Sequence, residues 1–268
     1  MPEAMGFFTD TTVCIGCKAC EVACKSWNQI PVVGLESLTM SGLSYDNTRQ
    51  LDGTHWRHVK FVEQFDAERN GRWLMMSDVC KHCVEAPCLE VCPTDAIVRT
   101  EFDTVLIRQD ICNGCRLCIA ACPFGVIDIN PIAGTAQKCT LCYDRLQNGL
   151  VPACAQACPT QSIQFGPIEE LKVKARRRVG DLHAAGEGRA HLYGADADML
   201  GGLNSFYLLV DEPEVYGLPR NPRSPARNLA KSGLLSAVGA AIAAVLALVG
   251  LRDRRIGEVA AEERASPP

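Results

Sequence analysis

From Ser232 to Leu251 the chain runs twenty residues without a charge, almost all Ala, Leu, Val, Ile or Gly. A helix needs about twenty apolar residues to cross the hydrocarbon core of a bilayer, so this stretch predicts one transmembrane helix over 229–251. A buried helix of a soluble domain has the same composition. The preceding Pro213, Pro219, Pro222 and Pro225, which mark an extended linker, and the closing Arg252-Asp253-Arg254-Arg255 favour the membrane. Arg220, Arg223, Arg227 and Lys231 lie before the stretch and Arg252, Arg254, Arg255 and Arg264 after it, so positive charge leaves the orientation open. The tail, 252–268, is acidic and alanine-rich from Glu258 and is expected to be disordered.

Elsewhere the apolar pattern is broken into short pieces. Trp56 to Phe65, with Val59 and Phe61 on one face, and Arg72 to Met76 flank the turn Glu68-Arg69-Asn70-Gly71 and predict a hairpin. It belongs to a cysteine-free insertion, 26–77, that either covers the rest of the domain or touches a partner. Short β segments are expected at Ala96 to Arg99 with Thr104 to Arg108, at Val126 to Ile129, and at Ser162 to Phe165. Pro167 opens a helix in which Leu171, Ala175, Val179 and Leu182 recur at helical spacing until Gly186. Ser205 to Asp211 reads as one more strand. The expected domains are therefore 1–166, a helix, strand and linker over 167–228, the span, and the tail.

What separates these pieces is cysteine. Cys112 to Pro123 reads C-N-G-C-R-L-C-I-A-A-C-P, the two-cluster ferredoxin spacing for iron-sulfur ligands. Gly114 lets the backbone pass close to inorganic sulfide. Cys122, one helical turn beyond Cys118, points away toward a neighbouring cluster, and Pro123 stops the short helix. The same grammar returns in Cys14, Cys17, Cys20 and Cys24, in Cys80, Cys83, Cys88 and Cys92, and in Cys139, Cys142, Cys154 and Cys158, which together use all sixteen cysteines. Pro93 and Pro159 repeat the terminating proline, whereas Lys25 replaces it in the first run. Structural zinc also uses C-x2-C pairs, and exported proteins form disulfides. Cysteines at i, i+3 and i+6 suit a common ligand better than either.

Charge adds little, since 27 basic residues meet 31 acidic ones and no nucleic-acid partner is suggested. Met1 to Asp10 lacks the basic and apolar regions of a secretory signal, and cluster assembly suits a reducing cytoplasm. Lys18, Lys81, His82 and Arg116 stand among the ligands, where positive charge or hydrogen bonds to sulfur raise cluster potentials. A solvated role is equally open to each. Arg176, Arg177 and Arg178 read first as a solvated helix face and second as a dock for an acidic partner. No nucleophile-and-base or acid-and-base constellation is present, so no catalytic residue is expected.

The chain resembles the iron-sulfur (beta) subunits of membrane-bound molybdenum or tungsten oxidoreductases, and most closely those of respiratory formate dehydrogenase. The resemblance covers about residues 9 to 252. It rests on C-I-G-C-K-A-C at Cys14, A-C-P-F at Ala121, K-C-T-L-C-Y-D-R at Lys138, P-A-C at Pro152, Gly201-Gly202, and E-V-Y-G-L-P-R-N-P at Glu214. It implies an α+β fold of two pseudo-symmetric two-cluster ferredoxin-like lobes, with the hairpin insertion and the C-terminal helix added. Four [4Fe-4S] clusters are implied. One is held by Cys14, Cys17, Cys20 and Cys158, and its lobe-mate by Cys139, Cys142, Cys154 and Cys24. In the other lobe, Cys80, Cys83, Cys88 and Cys122 hold one and Cys112, Cys115, Cys118 and Cys92 the other.

Electrons from a molybdopterin catalytic subunit would enter near Cys14 to Cys20 and leave near Cys112 to Cys118, toward a membrane subunit with haem or quinone. The chain would be a single-pass protein of the bacterial cell membrane, its cluster domain on the outer face after export beside a signal-bearing partner. Relatives serving polysulfide, thiosulfate, sulfoxide or nitrate chemistry share the core, and a free membrane-tethered polyferredoxin is a further reading.

Overall fold

Met5–Asp10 forms the strand at the heart of the fold, β1. In the computed structural model, which describes residues 3–31, 45, 46, 48–65, 71–225 and 229–265, β1 pairs in parallel with β10 (Ser205–Leu209) and antiparallel with β8 (Ile163–Pro167). β9 (His191–Tyr193) completes the sheet in the order β8-β1-β10-β9. Phe7, Phe8, Phe206, Tyr207, Leu208 and Leu209 are all buried, and Phe8 stacks on Phe206 with centroids 5.4 Å apart. Both faces of β1 are covered, so Phe7 and Phe8, though adjacent and pointing opposite ways, each remove a large apolar surface from water, about 1.5–3 kcal/mol apiece. The long helix Ile168–Ala184 follows β8 directly and buries Ile168, Leu171 and Ala175. Pro167 precedes the helix as its N-cap and is also the last residue of β8.

The cysteine runs carry the smaller elements. α1 (Ala19–Trp27), α2 (Pro87–Glu90), α3 (Leu117–Ala121), α4 (Tyr143–Gln147) and α5 (Ala153–Gln156) are short helices. Between them lie the ribbons β4 (Ile97–Arg99) with β5 (Val105–Ile107), and β6 (Asp128–Ile129) with β7 (Ala136–Gln137). The expected hairpin is β2 (Arg57–Phe65) against β3 (Gly71–Val79), in register from Arg57 with Val79 to Phe65 with Gly71. Its turn residues Glu68, Arg69 and Asn70 lie outside the described residues.

Two expectations about the C-terminal third change. The proline-rich segment is not a free linker: it forms a 3-10 turn at Pro213–Tyr216, buries Tyr216 and Leu218, and its Ser224 Oγ donates to Glu90 Oε2 at 2.5 Å. The apolar residues between the prolines anchor it, and the first compact unit accordingly ends at Ser224. Among the described residues the second unit holds one helix, Leu229–Ala265, which takes in the tail expected to be disordered as far as Ala265; the last three residues lie outside the described residues. Ala, Glu and Arg are strong helix formers, which outweighs the acidic composition there. Within it, Gly233–Val259 is long and apolar enough to cross a membrane, and none of that window is buried against protein.

Candidate metal centres

All four cysteine runs share one backbone device. The residue before the second cysteine has positive φ in each: Gly16 (66°), His82 (45°), Gly114 (71°) and Leu141 (56°). A left-handed residue turns the chain tightly between two ligands. Glycine is required in two runs, because a Cβ on Gly114 would meet the Gly134 carbonyl oxygen at 2.3 Å and one on Gly16 would meet Phe61 Cε1 at 2.6 Å. In the other two, His82 and Leu141 accept the conformation at a cost of order 1–2 kcal/mol each, and both are fully buried. A second left-handed residue follows the fourth cysteine by three positions after each terminating proline: Asp95, Gly125 and Gln161. The first run lacks the proline, and α1 accordingly extends to Trp27, nine residues against five in α3.

None of the sixteen cysteines is in a disulfide. Cys14, Cys17, Cys20 and Cys158 line one cavity, with Val59 and Ser77 of the β2-β3 hairpin across it. The insertion thus covers a cysteine cavity. Cys80, Cys83, Cys88 and Cys122 line a second cavity, and Cys92, Cys112, Cys115 and Cys118 a third. Cys24 lies among Cys139, Cys154 and Cys142, whose charges add to burial in raising its thiol pKa well above normal. On α1, Cys20 and Cys24 are both buried at i and i+4. They join different sets because four residues of helix advance about 6 Å along the axis, rather than by facing opposite sides.

Burial is the largest cause of the raised thiol pKa values, about 12 at Cys20, Cys88 and Cys139 and about 11 at Cys118 and Cys142. Four gathered thiolates without cationic charge are therefore unfavourable, and metal supplies that charge. Zinc would need four sulfurs converging at about 2.3 Å from one ion. Among the described residues no group of three or more His, Cys, Asp or Glu converges so as to hold a single ion. Thiols standing around a volume suit a multi-iron body instead. Donors to sulfur are in place: Leu141 N–H to Cys139 Sγ at 3.3 Å and Ala136 N–H to Cys112 Sγ at 3.4 Å. Thr94 and Thr160, each two residues past its run's last cysteine, place a hydroxyl 3.7 and 3.8 Å from Cys92 and Cys158.

Neighbouring sets act on one another. Cys154, grouped with Cys24, acts electrostatically on Cys20, grouped with Cys14; Cys80 acts on Cys139, and Cys118 on Cys88. Cys17 and Cys115 are exposed, whereas Cys24, Cys139, Cys142 and Cys154 are all buried.

The polar residues divide. Lys81 is buried and paired with Asp78, its ammonium also donating to Tyr207 Oη at 3.1 Å. His82 is buried, and its Nδ1 accepts from Val105 N–H at 3.1 Å, which requires a neutral ring; burial first, and then the cations Lys138, Arg99 and Arg57, push its pKa far down. Lys18 pairs with Glu21 at 3.8 Å and lies over Phe61, while Arg116 is exposed. Arg178 is not merely solvated, since its Nε reaches Asp10 Oδ2 at 2.9 Å. Arg176 pairs with exposed Asp196, and Arg177 is exposed. Sequence reasoning passed over Arg57 and Lys138, both buried. Lys138 lies by Cys80, Cys88 and Cys139, between two sets. Its place directly before Cys139 was the available signal.

Residues 13–96 and 71–168 each match a 4Fe-4S dicluster domain, and together the matches contain every cysteine. The chain is 42% identical over 221 residues to the formate dehydrogenase iron-sulfur subunit of Haemophilus influenzae, covering 80% of this chain and 68% of that one. It is 39% identical to the formate dehydrogenase-O iron-sulfur subunit of Escherichia coli, covering 82% and 72%. Against a subunit of the anaerobic dimethyl sulfoxide reductase of Escherichia coli the identity is 35%, covering 69% and 82%. Two dicluster domains account for four [4Fe-4S] clusters and all sixteen cysteines. With these matches over most of its length, the chain belongs to the family of iron-sulfur electron-transfer subunits that includes those of formate dehydrogenase.

Proposed function

We propose that this chain is the non-catalytic conduit of a membrane-bound formate dehydrogenase, taking electrons from a molybdopterin catalytic subunit and delivering them to a membrane subunit that holds haem or quinone. The observation that carries this reading is the presence of four cysteine sets that act on one another pairwise, two of them exposed at Cys17 and Cys115 and the one around Cys139 buried, which supports a path through the chain. Each cluster, when bound, supplies a one-electron couple. Its ligands are Cys14, Cys17, Cys20 and Cys158 for the first and Cys24, Cys139, Cys142 and Cys154 for the second. Cys80, Cys83, Cys88 and Cys122 serve the third, and Cys92, Cys112, Cys115 and Cys118 the fourth. The first two make one lobe, facing the catalytic subunit, and the last two the other, facing the membrane. The protein's part is to hold the sets in order, to exclude water from the middle ones, and to place cations such as Lys138 beside them.

The single apolar helix supports a single-pass anchor in a bacterial cell membrane, with the cluster unit on the outer face. The relative from dimethyl sulfoxide reductase favours a second reading, the same conduit serving another reductase. Purification of the complex from membranes distinguishes the two. Formate should reduce both an artificial acceptor and a quinone analogue in the intact complex, and removal of this chain should abolish only the second reaction. A complex that ignores formate but oxidises a reduced quinol with dimethyl sulfoxide would establish the second reading instead.

A further inference from the structure

Arg57 opens β2 and is 2% exposed. Its guanidinium lies over the Phe7 ring, 4.8 Å from the centroid, and Nη1 donates to Ser77 Oγ at 3.0 Å. That hydroxyl is 3.3 Å from Cys20 Sγ, in the first set. Nε and Nη2 are buried with no hydrogen-bond partner among the described residues. Burial opposes the charge, yet Cys154 and Cys139 of the second set and Cys20 of the first, joined by Tyr207, hold its pKa above that of ordinary arginine. Buried charges and donors are retained where something accepts them, and here the groups that favour the charge are mostly cysteine sulfurs, Cys154, Cys20 and Cys139. A guanidinium, with five donors in a planar fork, can serve two acceptors at once, which an ammonium does less well.

We propose that Arg57 is a positioning residue of the electron path: its unpartnered N–H groups donate to sulfur of the two clusters between which it lies, and its fixed charge raises the reduction potential of both. The proposal rests on the ligand sets given above. Reduction of each cluster adds one electron, and a cation close by in a dry site favours that extra negative charge. The role is distinct from ligation, since Arg57 supplies no bond to iron.

The test is a potentiometric titration followed by EPR on the anaerobically purified full chain, with Arg57→Gln and Arg57→Lys. Four reference variants, Cys20→Ser, Cys154→Ser, Cys83→Ser and Cys115→Ser, assign the four signals to their sets. In Arg57→Gln, with iron content unchanged, the centres assigned by Cys20 and Cys154 should become about tenfold harder to reduce at fixed ambient potential, equivalent to about 59 mV for a one-electron couple. The centres assigned by Cys83 and Cys115 should not move, and Arg57→Lys should fall between Gln and the native chain. Four unmoved potentials at full iron content would overturn the proposal. So would loss of iron from both Arg57 variants, because the guanidinium would then be building the fold rather than tuning a couple. If Cys20→Ser and Cys154→Ser alter the same signal, the ligand sets themselves fail, and that result is read from the reference variants without reference to Arg57.

Discussion

Cys92→Ala is expected to abolish or alter the centre that depends on Cys112, Cys115 and Cys118, and to leave the centre of Cys80, Cys83 and Cys88 intact. The expectation runs against proximity in the chain, since Cys92 ends the second run. It follows from the cavities: Cys92 lines the one with Cys112, Cys115 and Cys118, whereas Cys122 lines the one with Cys80, Cys83 and Cys88. α2 ends at Glu90, and the chain advances beyond it before Cys92. Losing one of four thiolates is expected to convert the cube to a three-iron form or to empty the site. Because the proposed order puts this set last, formate should still reduce an artificial acceptor at near the native rate, while quinone reduction falls by at least about tenfold, a barrier change of about 1.4 kcal/mol. EPR of Cys92→Ala beside Cys122→Ala and Cys115→Ala decides the matter. Should Cys92→Ala remove the signal that Cys80→Ala removes, the crossed sets and the electron order fail together.

Asp78→Asn should cost the fold about 3–5 kcal/mol, the range for breaking a buried ion pair from one side. Asp78 is buried at the end of β3 and takes the Lys81 ammonium, Lys60 Nζ at 3.0 Å, Tyr207 Oη at 3.3 Å and the Val79 N–H at 2.8 Å. The substitution keeps the volume but strands Lys81, which is fully buried. Burial alone would raise the Asp78 pKa, but Lys81 and then Lys60 outweigh it and hold the carboxyl far below the usual range. A depressed carboxyl contributes stability above its unfolded pKa, about 3.9, and loses it as pH falls through the folded value. Lys81 is raised, mainly by Asp78 against the effect of burial, so its share is complete below its unfolded pKa of about 10.4 and is lost as pH rises through the folded value. The gap between native and variant chains should therefore be flat from about pH 6 to 9. Anaerobic denaturant midpoints at both ends of that window check it, and Asp78→Asn with Lys81→Met should recover part of the loss. A single variant that unfolds at the native midpoint would show that the pair is exposed to water in solution.

The site was more legible in the sequence than the fold that carries it. Cluster ligation constrains residue type and spacing together, so the four runs stand out locally, as does a hairpin with apolar residues on one face. The central sheet was half marked: β8 and β10 fall where strands are expected at Ser162 to Phe165 and Ser205 to Asp211, whereas β1 and β9 left no mark. β1 pairs with β10 some two hundred residues away, and because both faces of Met5–Asp10 are covered, Phe7 and Phe8 break the alternation that betrays a half-buried strand. β7 and β9, of two and three residues, are too short to show any period. Arg57 shares the strand face of Val59 and Phe61, where the alternation expects an apolar residue. Only in the tertiary structure do Cys20, Cys139 and Cys154 come near enough to act on its charge. Pro213 to Pro225 misled for a different reason, because proline marks extended backbone without saying whether that backbone is free or packed.

The central claim, four cubes in one chain, is tested most directly by counting atoms. Anaerobically purified chain should carry about sixteen iron and sixteen acid-labile sulfide, four of each per ligand set, with little zinc, and EPR should resolve four separately titrating centres. About eight of each would leave two ligand sets without their cubes, and stoichiometric zinc without labile sulfide would contradict the account at its root.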